Sequence, residues 1–567
     1  MSLQRVFLDW SQPCLPSAAG WLIDRAATSK PIDLRRTMCV LPGARAGRLL
    51  LAHLLDRAAD RGSTLLPPRV LTPGAMVDAL LQPVGAMATQ VESALGWTKA
   101  LQSSDAASLA PLLPRPPGLD DWQAWRGLAA TAARLHEELA GVRLTFSDVA
   151  EKADHMNMPS EAARWRVLHE LQDRYQNLLT AGGLIDVHAS RERVLRAAKS
   201  PLAQEIESII LIGVTDLNAV QRGVITLVAD RVTAIVHAPA KFAEGFDDLG
   251  CAKPAWWESQ RINIDDSTIR VTERPEDQAQ AAKQGIADLG GAFAPQQITI
   301  GLGDADLAPS IERAANWAGL YTHSALGRDV DSTPPAKFLE AAADWLSARR
   351  FAHLAALLRH PDVERAVGVD GSNVWLKLLD TYFNDHLQAR LSDRWLGNAD
   401  KQKALRAAHD AVNALLAPLG GKQAQQEKRP LAQWAQPILT VLNSVYGVAA
   451  DEEIAAISTD ACAVLQQVLT ECAQAPHDLQ PLVDASTAIR LVLAECAGQS
   501  ITDEPRRDQI DMLGWLELHL DPAPALIIAG FNDGAIPEAV TADAFLPDSL
   551  RTALGMANNQ RRYARDA

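Results

Sequence analysis

Between Cys39 and Leu55 the chain reads CVLPGARAGRLLLAHLL, an apolar run that turns small and glycine-rich and then resumes an apolar rhythm at helical spacing. A loop of the type G-x-x-x-x-G-K-[ST] would grip phosphate here. Its backbone N–H groups wrap the phosphates, its lysine neutralises them and its hydroxyl holds magnesium. With Gly47 as the second glycine, Pro42 falls on the first, Arg48 on the lysine and Leu49 on the hydroxyl position. With Gly43 as the first, Arg48 takes the second glycine position, followed by Leu49 and Leu50. Leucine cannot ligate magnesium in either register. Gly43, Gly47 and Arg48 therefore mark either a degenerate nucleotide site, with strand, turn and helix start kept and the grip lost, or an ordinary strand-turn-helix with no nucleotide history.

A second chemistry-bearing stretch is basic. Between Arg390 and Arg429, eight Lys and Arg residues face four acids, and Arg390, Arg394, Trp395 and Lys401 are its candidates for following a single strand. The same run also fits a solvated helix face. The remaining constellations exclude chemistry. Thirteen histidines are scattered with no His-Glu-x-x-His pair, and six cysteines show no C-x-x-C spacing, so no metal site or disulfide framework is indicated. GLGDADL from Gly301 places Asp306 where a dinucleotide fingerprint needs its third glycine. No G-x-S-x-G elbow occurs. A net charge of -15 excludes a protein that coats itself in DNA through a global field, so any nucleic-acid contact must be a local groove.

Three groups of strand-like segments position these residues. The first holds RVFLDW, MCVLPG and RVLTPGAMVDALL. A return at IESIILIGVTDLNAVQRGVITLVADRVTAIVHAP, from Ile206, reads as strand, turn, helix and strand. The second holds TIRVTERPEDQAQAAKQGIADL and QITIGLGDADLAPSIERAANWAGL, both read as strand then helix. The third is PALIIAGFNDGAIPE, a short apolar strand ending in a turn. Between them the periodicity is helical. In DDWQAWRGLAATAARLHEEL, Trp122, Trp125, Leu128, Ala132, Leu135 and Leu139 recur every three or four residues, and the tryptophans read as core. Thr333 is placed to cap a helix that Pro334 opens. The sum is an α/β protein with two parallel sheets, each interrupted by a large helical insertion. No apolar run approaches the ~18 residues of a membrane span, and the N-terminus lacks a secretion pattern, so a cytoplasmic protein without membrane contact is expected.

These residues resemble a superfamily 1 helicase of the UvrD type, and specifically the B-subunit family of the AddAB (RexAB) helicase-nucleases that process double-strand breaks. LIGVTDLNAVQ is similar to the family's second motif, in which Asp216 and Gln221 match while the Asp-Glu pair falls on Ile212 and Gly213. That pair normally binds magnesium and orients the attacking water. DMLGWLELHLDPAPALIIAGFNDGAIPE is similar to a late helicase motif. NNQRRYARDA resembles the arginine-bearing sixth motif, with Arg561, Arg562 and Arg565 as candidates. The resemblance implies two RecA-like domains, at 1–80 plus 200–245 and at 246–332 plus 500–567, with helical insertions at 81–199 and 333–499. It further implies no ATPase activity, an ATP-driven helicase partner, and contact with single- and double-stranded DNA. Members carry a C-terminal PD-(D/E)XK nuclease domain with an iron-sulfur cluster. Neither RHPDVER nor LPDSLR supplies that pattern here, so no cofactor is expected within these residues. The alternative reading is a protein-interaction scaffold with the same frame and no direct DNA role.

Overall fold

The computed structural model describes residues 3–26, 31–81, 85–197, 205–261, 263–368, 374–391, 395–420, 427–447, 452–502, 505–506, 508–537 and 543–566. The first sheet is built from β1 (Gln4–Leu8), β2 (Thr37–Val40), β3 (Arg69–Leu71), β4 (Ser208–Ile212) and β5 (Val232–His237). They lie in the order β1-β5-β4-β2-β3, every pair parallel. Strand alternation decides which side chain faces which layer. Met38, Val40, Ile209 and Leu211 enter one core, with helix α3 (Pro73–Leu80) and the helices Val187–Arg196 and Ala219–Thr226. Cys39, Leu41, Ile210 and Ile212 enter the opposite core, with α1 (Cys14–Ala26) and α2 (Ala44–Asp60). Burial on both faces is why these strands read as continuous apolar runs.

The chain leaves β2 for β3 on one side and returns to β4 on the other. The crevice between the carboxyl ends of β2 and β4 is thus the topological switch point, where open parallel sheets bind their ligands.

The second sheet holds β6 (Ile298–Leu302), β7 (Tyr321–Ser324), β8 (Gln509–Gly514) and β9 (Ala525–Ala529) in the order β7-β8-β6-β9, again parallel throughout. Ile298, Ile300, Leu302, Ile510 and Met512 pack under the helices Pro275–Asp288 and Ala308–Trp317. The described residues are therefore α/β, with two main parallel sheets and several two-stranded pairings beside them. Two local expectations are corrected. Thr268–Val271 alternates like a strand but forms none; Ile269 and Val271 stay exposed, and only the following helix forms. Thr333 occupies the N-cap position, yet its hydroxyl donates to Val330 O at 2.5 Å and caps nothing.

The helical segments pack together. Trp97, Trp125, Leu135 and Trp165 from the first stretch share one continuous core with Phe338, Trp345, Trp434 and Ile489 from the second. Helix Trp122–Gly141 buries Trp125, Ala132, Leu135 and Leu139, as its periodicity requires. A buried ion pair joins the two stretches, with Arg126 Nε donating to Glu495 Oε1 at 2.6 Å. Among the described residues no helix is long and apolar enough to cross a membrane.

Candidate functional site

Helix α2 begins at Gly43, whose extended backbone makes it the N-cap without a side-chain hydrogen bond to the first turn. Its leading N–H groups face the switch-point crevice, where an anion would be drawn. The second sheet fills that place. After β8 the chain forms a short 3₁₀ segment, Trp515–Leu520, that lies across the crevice. Glu517 brings its carboxylate to Gly43: a Cβ on that glycine would stand 3.1 Å from Glu517 Oε1. Gly213, the residue after β4, has a positive φ of 60°, and a Cβ there would meet Leu520 at 2.6 Å. Leu520 is buried in the core shared by α1, α2 and the first sheet. His519 Nε2 donates to Gly213 O across 3.0 Å.

An ion cluster clamps the same junction. Arg45, in the first turn of α2, reaches Asp511 at 2.7 Å and Asp521 at 2.9 Å. Asp521 also accepts from the Thr299 hydroxyl at 2.7 Å, and His323 Nδ1 lies 3.1 Å from Asp511. Burial pushes Asp511 up, but the hydrogen bonds from His323 and Arg45 outweigh it and hold the carboxyl below its usual range. Burial raises Glu517, against the pull of Arg45 and Arg48, and one of its oxygens is buried without a hydrogen bond.

The sequence-derived candidates fall in several places. Gly47 packs against Val70, whose Cγ1 would lie 2.7 Å from an added Cβ, so this glycine serves the contact between α2 and β3. Arg48 is exposed. Asp216 and Arg561, separated by 345 residues, form a part-exposed ion pair at 3.2 Å. Gln221 is a helix cap: its side chain accepts from Asn218 N while Asn218 accepts from Gln221 N, both at 2.9 Å. Arg562 sits in the half-buried first part of the helix Asn559–Asp566, and the side chain of Arg565 lies outside the described residues. Arg394 also lies outside them. Arg390 and Lys401 are exposed, and Trp395 is half-buried, with the rings of Tyr382 and His409 edge-on at 5.1 and 5.5 Å and Arg406 over it at 5.9 Å.

Sequence reasoning missed Arg45, Asp511, Glu517, His519 and Asp521. Arg45 occupies a position the loop pattern leaves free, and its partners lie more than 460 residues away, so local spacing carries no signal for them. Chemically, the crevice presents three carboxylates, Glu517, Asp511 and Asp521, against Arg45 and Arg48. A polyphosphate entering it meets net repulsion and finds no lysine, no magnesium-holding hydroxyl and no Asp-Glu pair. The described residues contain no group of three or more His, Cys, Asp or Glu placed to hold a metal ion. The chain matches no protein-family model, and a comparison with curated proteins finds no match.

Proposed function

We propose that this chain is the helicase-like, non-hydrolysing part of a double-strand-break end-processing complex, which guides single-stranded DNA while an ATP-driven partner supplies motion. Its two sheets are read as RecA-like halves. One observation carries the reading: the switch-point crevice lies between two parallel sheets, where a motor would hold nucleotide, and this chain fills it with Glu517, His519 and Leu520 and clamps it through Arg45. A nucleotide-type frame supports the motor ancestry, and its acid-lined, occupied crevice supports the loss of hydrolysis. Such a subunit needs shape, scattered cations and stacking surfaces, not an ATPase site of its own.

Two measurements test it. Isothermal titration of the full chain with magnesium ATP is expected to show no binding at millimolar nucleotide. A labelled oligothymidylate titrated at two salt concentrations is expected to bind with a negative slope of log affinity against log salt. Hydrolysis by the chain alone sinks the non-motor reading. Absence of strand binding at every salt concentration, with or without the partner, leaves the scaffold reading in its place.

A further inference from the structure

The second sheet ends in an open edge. In the order β7-β8-β6-β9, β9 is last, and among the described residues no strand pairs with its outer side. Its side chains alternate between the two faces of the sheet. Ala525, Ile527 and Ala529 pack into the core beneath helix Pro275–Asp288, and a Cβ on Gly285 of that helix would stand 3.3 Å from Ile527 Cδ1. Leu526 and Ile528 point the other way and are 49% and 42% exposed. An apolar strand with a free edge is a template for another strand.

The residues just before helix Pro275–Asp288 fit that template. Ile269 already has extended backbone, with φ -96° and ψ 127°, and Ile269 and Val271 are 56% and 93% exposed. Arg270 forms an ion pair with Asp288 at the last turn of the helix, while Arg274 stands at its N-cap position. Residues 270–274 therefore run alongside the helix in the opposite sense, the path of a strand that feeds a crossover helix. Gly530, directly after β9, donates its N–H to Gln278 Oε1 at 3.0 Å, which pins the start of the helix to the carboxyl end of β9. A strand on this path is parallel to β9. With Arg270 on the helix side, alternation turns Ile269 and Val271 to the face that Leu526 and Ile528 share.

Chirality selects the edge. Strand β6 leads through helix Ala308–Trp317 to β7, and that helix covers the same face of the sheet as Pro275–Asp288. Crossovers between parallel strands are right-handed, so two of them over one face must step across the sheet in the same direction. A strand that enters helix Pro275–Asp288 and continues to β6 then belongs on the side of β6 away from β7, beyond β9.

We propose that residues 269–272 form a strap that docks on the outer side of β9 as a fifth parallel strand, setting Ile269 and Val271 beside Leu526 and Ile528 while Arg270 keeps Asp288. The structure holds the strap undocked. Docking extends the contact that its own helix already makes with β9 and seals the edge against foreign strands. Neither the strap nor its test depends on the strand-guiding function.

Paired cysteines in the full chain test it, because neighbouring strands bring Cα atoms within the roughly 4.4–6.8 Å that a disulfide spans. Val271→Cys/Ile528→Cys and Val271→Cys/Leu526→Cys cover the two registers that keep these side chains on one face. Arg270→Cys/Ile528→Cys is the control, with its side chains on opposite faces. Five of the six native cysteines are buried, and peptide mapping after copper-phenanthroline oxidation identifies the linked pair. One of the first two variants is expected to link within the chain, with roughly tenfold less product in the control. Hydrogen exchange supplies a reading without cysteines: Ile269→Asp/Val271→Asp, two exposed substitutions, is expected to speed exchange at Leu526–Ile528 about tenfold. No linkage in either variant, or equal linkage in the control, overturns the strap. Exchange at Leu526–Ile528 unchanged by the double substitution overturns it too. Linkage between chains, with a dimer in sedimentation that Ile528→Asp abolishes, assigns the edge to a second copy and likewise overturns it.

Discussion

Arg45→Met removes the cation that touches both Asp511 and Asp521. The Arg45 side chain is 15% exposed, Asp521 is 5% exposed and Asp511 is 28% exposed, so the substitution leaves two largely buried acids. Removing one partner of a buried pair costs about 3–5 kcal/mol. Here the lower end is expected, because Asp521 keeps the Thr299 hydroxyl and Asp511 keeps His323. At ~2.1 cal/mol/K per residue, a loss of ~3 kcal/mol shifts the midpoint by only about 2–3 °C if all 567 residues unfold together. If the lobes separate first, a unit of some 150–250 residues shifts by about 6–12 °C and a second transition appears. Differential scanning calorimetry distinguishes the two outcomes, and urea unfolding gives the free energy. The combination Arg45→Met/Asp511→Asn/Asp521→Asn is expected to recover most of the loss, since no uncompensated charge remains. A change below ~0.5 kcal/mol for the single variant, or no recovery in the triple, refutes the clamp. The sign with pH follows from Asp511. Its folded pKa is depressed, so its contribution is present above the unfolded value near 3.9 and is lost as pH falls through the lower folded value.

Further outcomes are expected elsewhere. Gly213→Ala combines a left-handed backbone with a Cβ driven into Leu520, and should destabilise by about 2–4 kcal/mol in urea unfolding. Glu517→Gln should stabilise at neutral pH and become neutral in acid; its pKa is raised by burial, so the carboxyl helps the fold only below its unfolded value and loses that contribution as pH rises through the folded one. In the first helical stretch, burial pushes His188 down to about 4, against the pull of Asp186. Stability present above the unfolded value of about 6.5 is then lost as pH falls to about 4, by up to roughly 3 kcal/mol, and His188→Leu should flatten that limb of a pH series of melts. Asp186→Ala strips the acceptor shared by His136 at 3.2 Å and the Tyr175 hydroxyl at 2.9 Å, and is expected to cost about 3 kcal/mol by the same measurement.

Most of the frame was legible in the residues because alternation and helical spacing are local signals. Ile209–Ile212 and Met38–Leu41 announce strands buried on both faces, and Trp125, Leu135 and Leu139 announce one helix face. The failure at Thr268–Val271 has the opposite cause: alternation states what a strand could bury, and only pairing with a sheet makes it one. The crevice was legible only through what its residues fail to spell. Gly43–Leu49 do not form a phosphate-gripping loop, and they give no sign that Glu517 and Leu520 occupy the space beside them.

The same magnitudes decide whether the crevice can open and close as a motor's does. Opening must separate Arg45 from Asp511 and Asp521 and withdraw Leu520 from the first core, and the second step alone costs about 1.5–3 kcal/mol. A gap of that size leaves the open form at roughly one part in ten to one in two hundred, and a ligand must prefer the open form by a similar factor merely to bring the two forms to parity. On the proposed reading nucleoside triphosphate does not supply it, because Glu517, Asp511 and Asp521 oppose its charge. Hydrogen exchange at Leu513–Leu520 should therefore be unchanged by magnesium ATP and accelerated by Arg45→Met. Nucleotide-dependent exchange there in the wild-type chain would mean that the crevice still cycles, and that the carboxylates fill a gate, not a sealed joint.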